Sequence, residues 1–181
     1  MAGTSLENAR MDELKRYIRE IPDFPKDGIV FYDITTLLQN PAGLRRAVDQ
    51  FVWLFASQDV DKVVGIESRG FLFGPVVAYN LNAGFVPVRK PGKLPWKTVE
   101  QSYELEYGTD SIEMHQDAID PGERVLIVDD LIATGGTARA ATQLVESVGG
   151  TVTGLGFVLE LTFLEGRSKL GDYHVESLMK Y

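Results

Sequence analysis

The sequence predicts an α/β fold, a mostly parallel twisted sheet flanked by helices, with an N-terminal segment and a β-hairpin added to that core. Apolar runs of strand length alternate with helix-period stretches through the middle of the chain, the order that a parallel sheet with crossover helices requires. Val125–Val128 is a β-branched run of the kind a strand buried on both faces carries. It is followed by Asp129-Asp130, a Gly pair and a helical stretch opening at Thr137, which reads as strand, ligand-binding turn and helix. The length of 181 residues fits one domain over 1–181, with no repeat, low-complexity segment or linker.

The other elements follow in chain order. Leu14, Tyr17, Ile18 and Ile21 fall at i, i+3, i+4, i+7 and predict an amphipathic helix ending near Pro22. A loop, Pro22–Gly28, leads to the run Ile29–Ile34. Asn40-Pro41 starts a helix, with Asn as cap and Pro at the first helical position. Its buried stripe is Leu44, Val48, Phe51, Val52 and Phe55. Lys62–Ile66 reads as a strand, Phe71–Leu81 as a helix that tolerates Pro75 only near its first turn, and Phe85–Val88 as a strand. Ser102–Tyr107 and Ser111–Met114 form a hairpin around Gly108-Thr109-Asp110. Gly149-Gly150 stops the helix after the Gly pair. Val152–Leu159 is a strand, Glu165–Leu170 a short helix and Val175–Met179 a last strand.

Composition excludes several classes. The net charge of −8 would repel a phosphate backbone, which argues against nucleic acid as a partner. There is no cysteine, so disulfides, thiolate metal sites and a Cys nucleophile are ruled out. The first twenty residues are charged throughout, unlike a signal peptide. No apolar run approaches the ~20 residues of a membrane span. A soluble, cytoplasmic protein is expected.

Four stretches can carry chemistry. Backbone N–H groups of Thr134–Thr137 with a helix N-terminus would cradle an anion, and the preceding carboxylates, which only accept hydrogen bonds, suit sugar hydroxyls. A phosphorylated sugar fits both ends. No Lys follows the Gly pair and no G-x-G-x-x-G follows the strand, so neither a triphosphate P-loop nor a dinucleotide site is indicated. A plain capped βα turn and a receiver-type metal site remain the alternatives, and neither explains both halves of the stretch. Glu67-Ser68-Arg69-Gly70 follows a strand as a second turn. A hydrolase elbow at Ser68 lacks its first Gly, and only His115 and His174 could complete a triad. Arg89, Lys90 and Lys93 form a cationic cluster that an otherwise acidic chain would place to meet an anion. In Ser102–Gly108, alternation sets Glu104 and Glu106 on one face and Tyr103, Leu105 and Tyr107 on the other.

Val128–Thr137 resembles the phosphoribosyl pyrophosphate (PRPP) motif of the type I phosphoribosyltransferases. Glu67–Phe71 is similar to the pyrophosphate loop, and Leu105–Gly108 to the Leu-Glu-Tyr-Gly lid motif, of the adenine subclass. The resemblance runs from about Ile21 to Leu170. It implies an N-terminal hood, a hairpin lid and a homodimer, and transfer of phosphoribosyl from PRPP to adenine, giving AMP and pyrophosphate. Glu106, Arg69 and Tyr107 would be catalytic, with Glu106 facing the imidazole edge of the base. Asp129, Asp130, Ala133, Thr134, Gly135, Gly136 and Thr137 would bind PRPP and AMP. Ser68, Arg69, Arg89, Lys90 and Lys93 would meet pyrophosphate, in a loop that in the family often holds a non-proline cis peptide. Phe31 and Leu161 would flank adenine, with backbone of Val30 and Tyr32 reading its six-position edge; Tyr32 departs from the longer polar residue common there. Mg²⁺ would arrive with PRPP, and Asp129 and Asp130 would reach it through water. A 6-oxopurine enzyme and a non-catalytic PRPP-sensing regulator are the alternatives.

Overall fold

The computed structural model describes residues 13–104 and 108–181. Its backbone gathers into two compact units, Met1–Gln50 and Phe51–Tyr181. In the first, strands β1 (Arg19–Pro22) and β2 (Val30–Asp33) pair antiparallel. The expected helix through Ile21 is therefore wrong: helical backbone ends at Lys15. Turn bonds from Tyr17 N–H to Leu14 O and from Ile18 N–H to Lys15 O, both 3.0 Å, close it off. Leu14 does bury, but Arg19–Pro22 finds cross-strand partners in β2, and tertiary pairing overrides a period carried by four positions.

Asp33 lies just before α1 (Thr35–Gln39), accepting from Thr35 N–H at 2.8 Å and from its hydroxyl at 2.7 Å. Helix α2 (Pro41–Phe55) starts as predicted, with Asn40 Oδ1 accepting from the Ala42 and Gly43 N–H groups at 3.0 Å each. Val48, Phe51 and Phe55 of its stripe are buried, and Leu44 and Val52 are half-buried.

The second unit is built on a five-stranded, all-parallel sheet: β3 (Lys62–Ile66), β4 (Gly84–Val88), β7 (Arg124–Ile132), β8 (Thr151–Glu160) and β9 (Val175–Lys180). The spatial order is β4-β3-β7-β8-β9. Val63, Val64, Val125–Val128 and Leu155 are all fully buried, as strands covered on both faces must be. A separate antiparallel hairpin joins β5 (Thr98–Glu104) to β6 (Thr109–His115). Helix α4 (Gly136–Ser147) buries Ala138, Ala140, Ala141, Leu144 and Val145 in the core shared with β3, β7 and β8.

Several boundaries differ from expectation, among them the hairpin, whose strands run Thr98–Glu104 and Thr109–His115, so that Thr109 and Asp110 lie in β6 and not in the turn. The helix predicted from Phe71 is a 3₁₀ turn, Arg69–Leu72, followed by α3 (Gly74–Asn80), because Pro75 lacks an N–H and fits α geometry only at the first helical positions. The predicted helix Glu165–Leu170 is likewise a 3₁₀ turn, Gly166–Leu170. Strand β7 continues past Val128, since the ladder with β8 runs on through Asp129↔Phe157, Leu131↔Leu159 and Ile132↔Glu160. The two acids thus sit within the strand, held by its rigid backbone. Among the described residues no helix is long and apolar enough to cross a membrane.

Candidate active site at the switch point of the sheet

The chain passes from β3 outward to β4 before crossing back to β7 on the other side of β3. The turns leaving β3 and β7 therefore diverge, and in a doubly wound sheet the ligand crevice opens where they part. A cavity of about 370 Å³ lies there. Ser68, Arg69 and Lys90 line it on one side, and Asp129 to Ala138 on the other. The Glu67–Ser68 peptide is cis.

The acids are held unlike ordinary surface carboxylates. Asp130 is buried, and Asp129 is half-buried, its Oδ1 accepting from the Asp130 N–H at 2.9 Å. Burial, then the charge of Asp130, push the Asp129 carboxyl well above its usual range. Burial also raises Asp130, opposed by Arg69, whose Nε lies 2.8 Å from Asp130 Oδ2. Gly70 lets the turn approach this closely: a Cβ there would sit 2.9 Å from Asp129 Oδ1.

Beyond β7 the chain turns through Gly135, whose φ of 77° few side chains adopt, and enters α4. The helix has no side-chain cap and no acid in its first turn. Its N-terminal N–H groups are thus left to an outside acceptor, and the dipole there favours an anion.

The three cations come together, each on an acid. Arg89 Nε donates to Glu67 Oε2 at 3.1 Å, the Lys90 N–H to the same oxygen at 3.2 Å, and the Lys93 ammonium pairs with Glu67 Oε1. Burial would raise the Glu67 carboxyl, but these bonds hold it below its ordinary range. The Lys90 ammonium pairs with Asp110 and donates to the Tyr103 hydroxyl at 3.1 Å. Tyr103 and Asp110 face each other across the hairpin. Of the three cations, Lys90 lines the cavity.

Residues 33–170 match the model of the phosphoribosyl transferase domain. The adenine phosphoribosyltransferase of Acaryochloris marina is 62% identical over 169 residues, covering 93% of this chain and 99% of the relative. The Koribacter versatilis enzyme of the same name is 59% identical over 94% of this chain and 93% of its own. The chain belongs to the adenine phosphoribosyltransferase family. The crystal structure of the Rhodothermus marinus family member superposes with a TM-score of 0.90 at 54% identity, over 96% of this chain and 99% of that one. The Saccharomyces cerevisiae member, crystallised with adenine and an imino-altritol bisphosphate, gives a TM-score of 0.88 at 44% identity, over 94% of this chain and 99% of that one.

Against the family motifs, the structure gathers Ser68, Arg69, Lys90, Asp129, Asp130 and the Ala133–Thr137 turn around one cavity. Leu161 follows β8, its N–H bonded to Ile132 O at 3.0 Å. Val30, Phe31 and Tyr32 lie on β2 of the first unit. Glu106 and Tyr107 lie outside the described residues. Three participants escaped the sequence reading. From sequence alone Glu67 has no role within its motif, Tyr103 falls on one face of a strand and Asp110 is a turn residue. A carboxylate in a cation-seeking loop was the available signal for Glu67. For Asp110 and Tyr103 there was none short of the hairpin register.

Proposed function

We propose that the cavity transfers the 5-phosphoribosyl group of PRPP to N9 of adenine, giving AMP and pyrophosphate in purine salvage. The observation that carries this is the joining, in one cavity, of an uncapped helix N-terminus, a buried acid pair and the cationic turn of Ser68, Arg69 and Lys90. That order matches a ligand with a phosphate at one end, hydroxyls in its middle and pyrophosphate at the other.

In this reading the Thr134–Thr137 N–H groups take the 5-phosphate and Asp129 and Asp130 accept from the ribose hydroxyls. Ser68, Arg69 and Lys90 take the pyrophosphate, with Arg89 and Lys93 held nearby on Glu67. As the C1–oxygen bond breaks, its electron pair leaves on pyrophosphate and C1 becomes oxocarbenium-like. The N9 lone pair of adenine then bonds to C1, while Glu106 takes the proton at N7 and Tyr107 helps close the site. Two carboxylates suit Mg²⁺, which commonly takes one or two from protein and the rest of its oxygens from water and substrate phosphates. Among the described residues no larger ligand cluster exists. When bound, the ion supplies neutralisation of the leaving group.

On β2, Pro22 pairs with Val30 and has no N–H to donate, which suits that pair to the non-hydrogen-bonded alternation. Val30 and, two residues on, Tyr32 would then turn their backbone groups away from β1. By the family resemblance Phe31, braced edge-on by Phe24 with centroids 5.3 Å apart, would stack on adenine. We also propose a cytoplasmic homodimer, consistent with the exposed Leu72, Val76 and Tyr79 along one segment.

The acid pair gives a prediction on two axes. An acid whose folded value is raised contributes stability below its ordinary value and loses it as pH climbs through the raised one. Asp129→Asn, which keeps an oxygen for the Asp130 N–H, should therefore raise Tm of the ligand-free protein at pH 7 and raise it less at pH 4. Each ~1 kcal/mol relieved moves Tm by about 2–4 °C in a chain of this size. PRPP binding should weaken in Asp129→Asn and Asp130→Asn alike, since an NH₂ then faces hydroxyls. Calorimetry and thermal melts read both axes, and unchanged PRPP affinity in both variants would remove the assigned role.

The transfer itself is tested with PRPP labelled at its β-phosphate. Labelled pyrophosphate should be released when adenine is added and hardly at all without it. Release independent of adenine would mean hydrolysis instead of transfer.

A further inference from the structure

The phosphate cradle does not stand by itself. A Cβ on Gly135 would lie 2.2 Å from Gly166 O, and one on Gly166 would lie 2.1 Å from Ala133 O and 2.8 Å from Gly135 N. The cradle turn and the start of the 3₁₀ turn Gly166–Leu170 are therefore in backbone contact, with no side chain between them. Whatever fixes Gly166 also fixes the shape of 133–136.

The next residue supplies that anchor. Arg167 forks onto Glu160, Nε to Oε1 at 3.0 Å and Nη2 to Oε2 at 2.7 Å, and its Nη1 donates to Val175 O at 2.6 Å. Glu160 is buried at the end of β8, directly beside Ile132, the last residue of β7. Val175 opens β9. One guanidinium thus ties the 3₁₀ turn to the end of one strand and the start of the next. The planar fork allows this in a way that an ammonium cannot.

We propose that Arg167 is a positioning residue for the phosphate cradle, acting through Gly166 and held by Glu160. It does not line the cavity. The inference rests on the reading that residues 134–137 hold a phosphate. Stability alone explains the pair poorly: Glu160 is buried at a cost in desolvation while Arg167 is half-exposed, so the pair adds little net folding energy. Pre-organisation does explain it, since a binding turn needs its supporting residues locked.

The test separates folding from affinity. In the double variant Glu160→Leu/Arg167→Met, the buried carboxylate and its half-exposed partner are replaced by apolar volume, and the urea midpoint should stay near wild type. Its Kd for AMP by calorimetry should rise about 10- to 10²-fold, the penalty expected when supporting residues let a site shift by about 1 Å. KM for PRPP should rise with it while KM for adenine stays near wild type, a split that general destabilisation would not produce. A folded double variant binding AMP as tightly as wild type would overturn the proposal. Should the double variant fail to fold, Arg167→Lys decides: it keeps the charge but not the fork, so weaker AMP binding supports the proposal and wild-type binding overturns it. Wild-type protein that does not bind AMP at all would instead sink the cradle reading beneath it.

Discussion

Glu106→Gln is expected to lower turnover by about 10²–10⁴, the usual contribution of acid–base help, while leaving PRPP affinity near wild type. Gln keeps the size and much of the hydrogen bonding of Glu but cannot take a proton. Glu106 follows β5 by two residues, and the turn end of the hairpin is tied to the site: Tyr103 and Asp110 both hold Lys90, which lines the cavity. The strand that leads into residue 106 is therefore anchored where pyrophosphate is proposed to bind. Steady-state kinetics beside PRPP calorimetry separates the two effects. A fall in turnover of less than a few-fold would take the catalytic role from Glu106.

Base choice is expected to show an effect of similar size. A 6-amino purine offers a donor at position six and an acceptor at N1, and a 6-oxopurine reverses both. In the proposed reading, backbone groups of Val30 and Tyr32 would present a fixed complement, a carbonyl for the amine and an N–H for N1. Hypoxanthine would set carbonyl against carbonyl and N–H against N–H. Unpaired buried polar groups discriminate by about 10⁴ or more, far beyond one apolar contact. Adenine should accordingly exceed hypoxanthine by about that factor in kcat/KM. Tyr32→Ala should lower efficiency without inverting the order, because backbone reads the base. A reversal in that variant would show the side chain to be the reader.

The sheet was legible because its strands carry continuous β-branched or apolar runs, and Lys62–Ile66 falls at the predicted residues. The Asn40-Pro41 start was legible because its chemistry is local, one side chain bonding two N–H groups within three residues. The segment 14–21 misled for the converse reason. Its spacing fitted a helix, and its partner strand lies some ten residues on, where no local pattern announces a pairing. The acid pair, the Gly turn and the Ser68-Arg69 turn could be marked as ligand-binding from residue type and place. Their convergence depends on the strand order, which puts β7 beside β3 despite a separation of about sixty residues. The division of labour among Arg89, Lys90 and Lys93 was hidden, because Glu67 and Asp110 select which cation lines the cavity. The Gly135–Gly166 contact was hidden too: two glycines thirty-one residues apart carry no pattern, and only the close backbone approach explains both.

The most direct measurement is a single competition. Purified protein with Mg²⁺ and PRPP is given adenine, hypoxanthine, guanine and xanthine at equal concentration, and the nucleotides and pyrophosphate formed are quantified together. AMP should dominate, with one pyrophosphate released for each AMP. Comparable amounts of IMP, GMP or XMP would contradict the adenine assignment, and PRPP binding with no nucleotide formed would make the protein a sensor of PRPP and not its transferase.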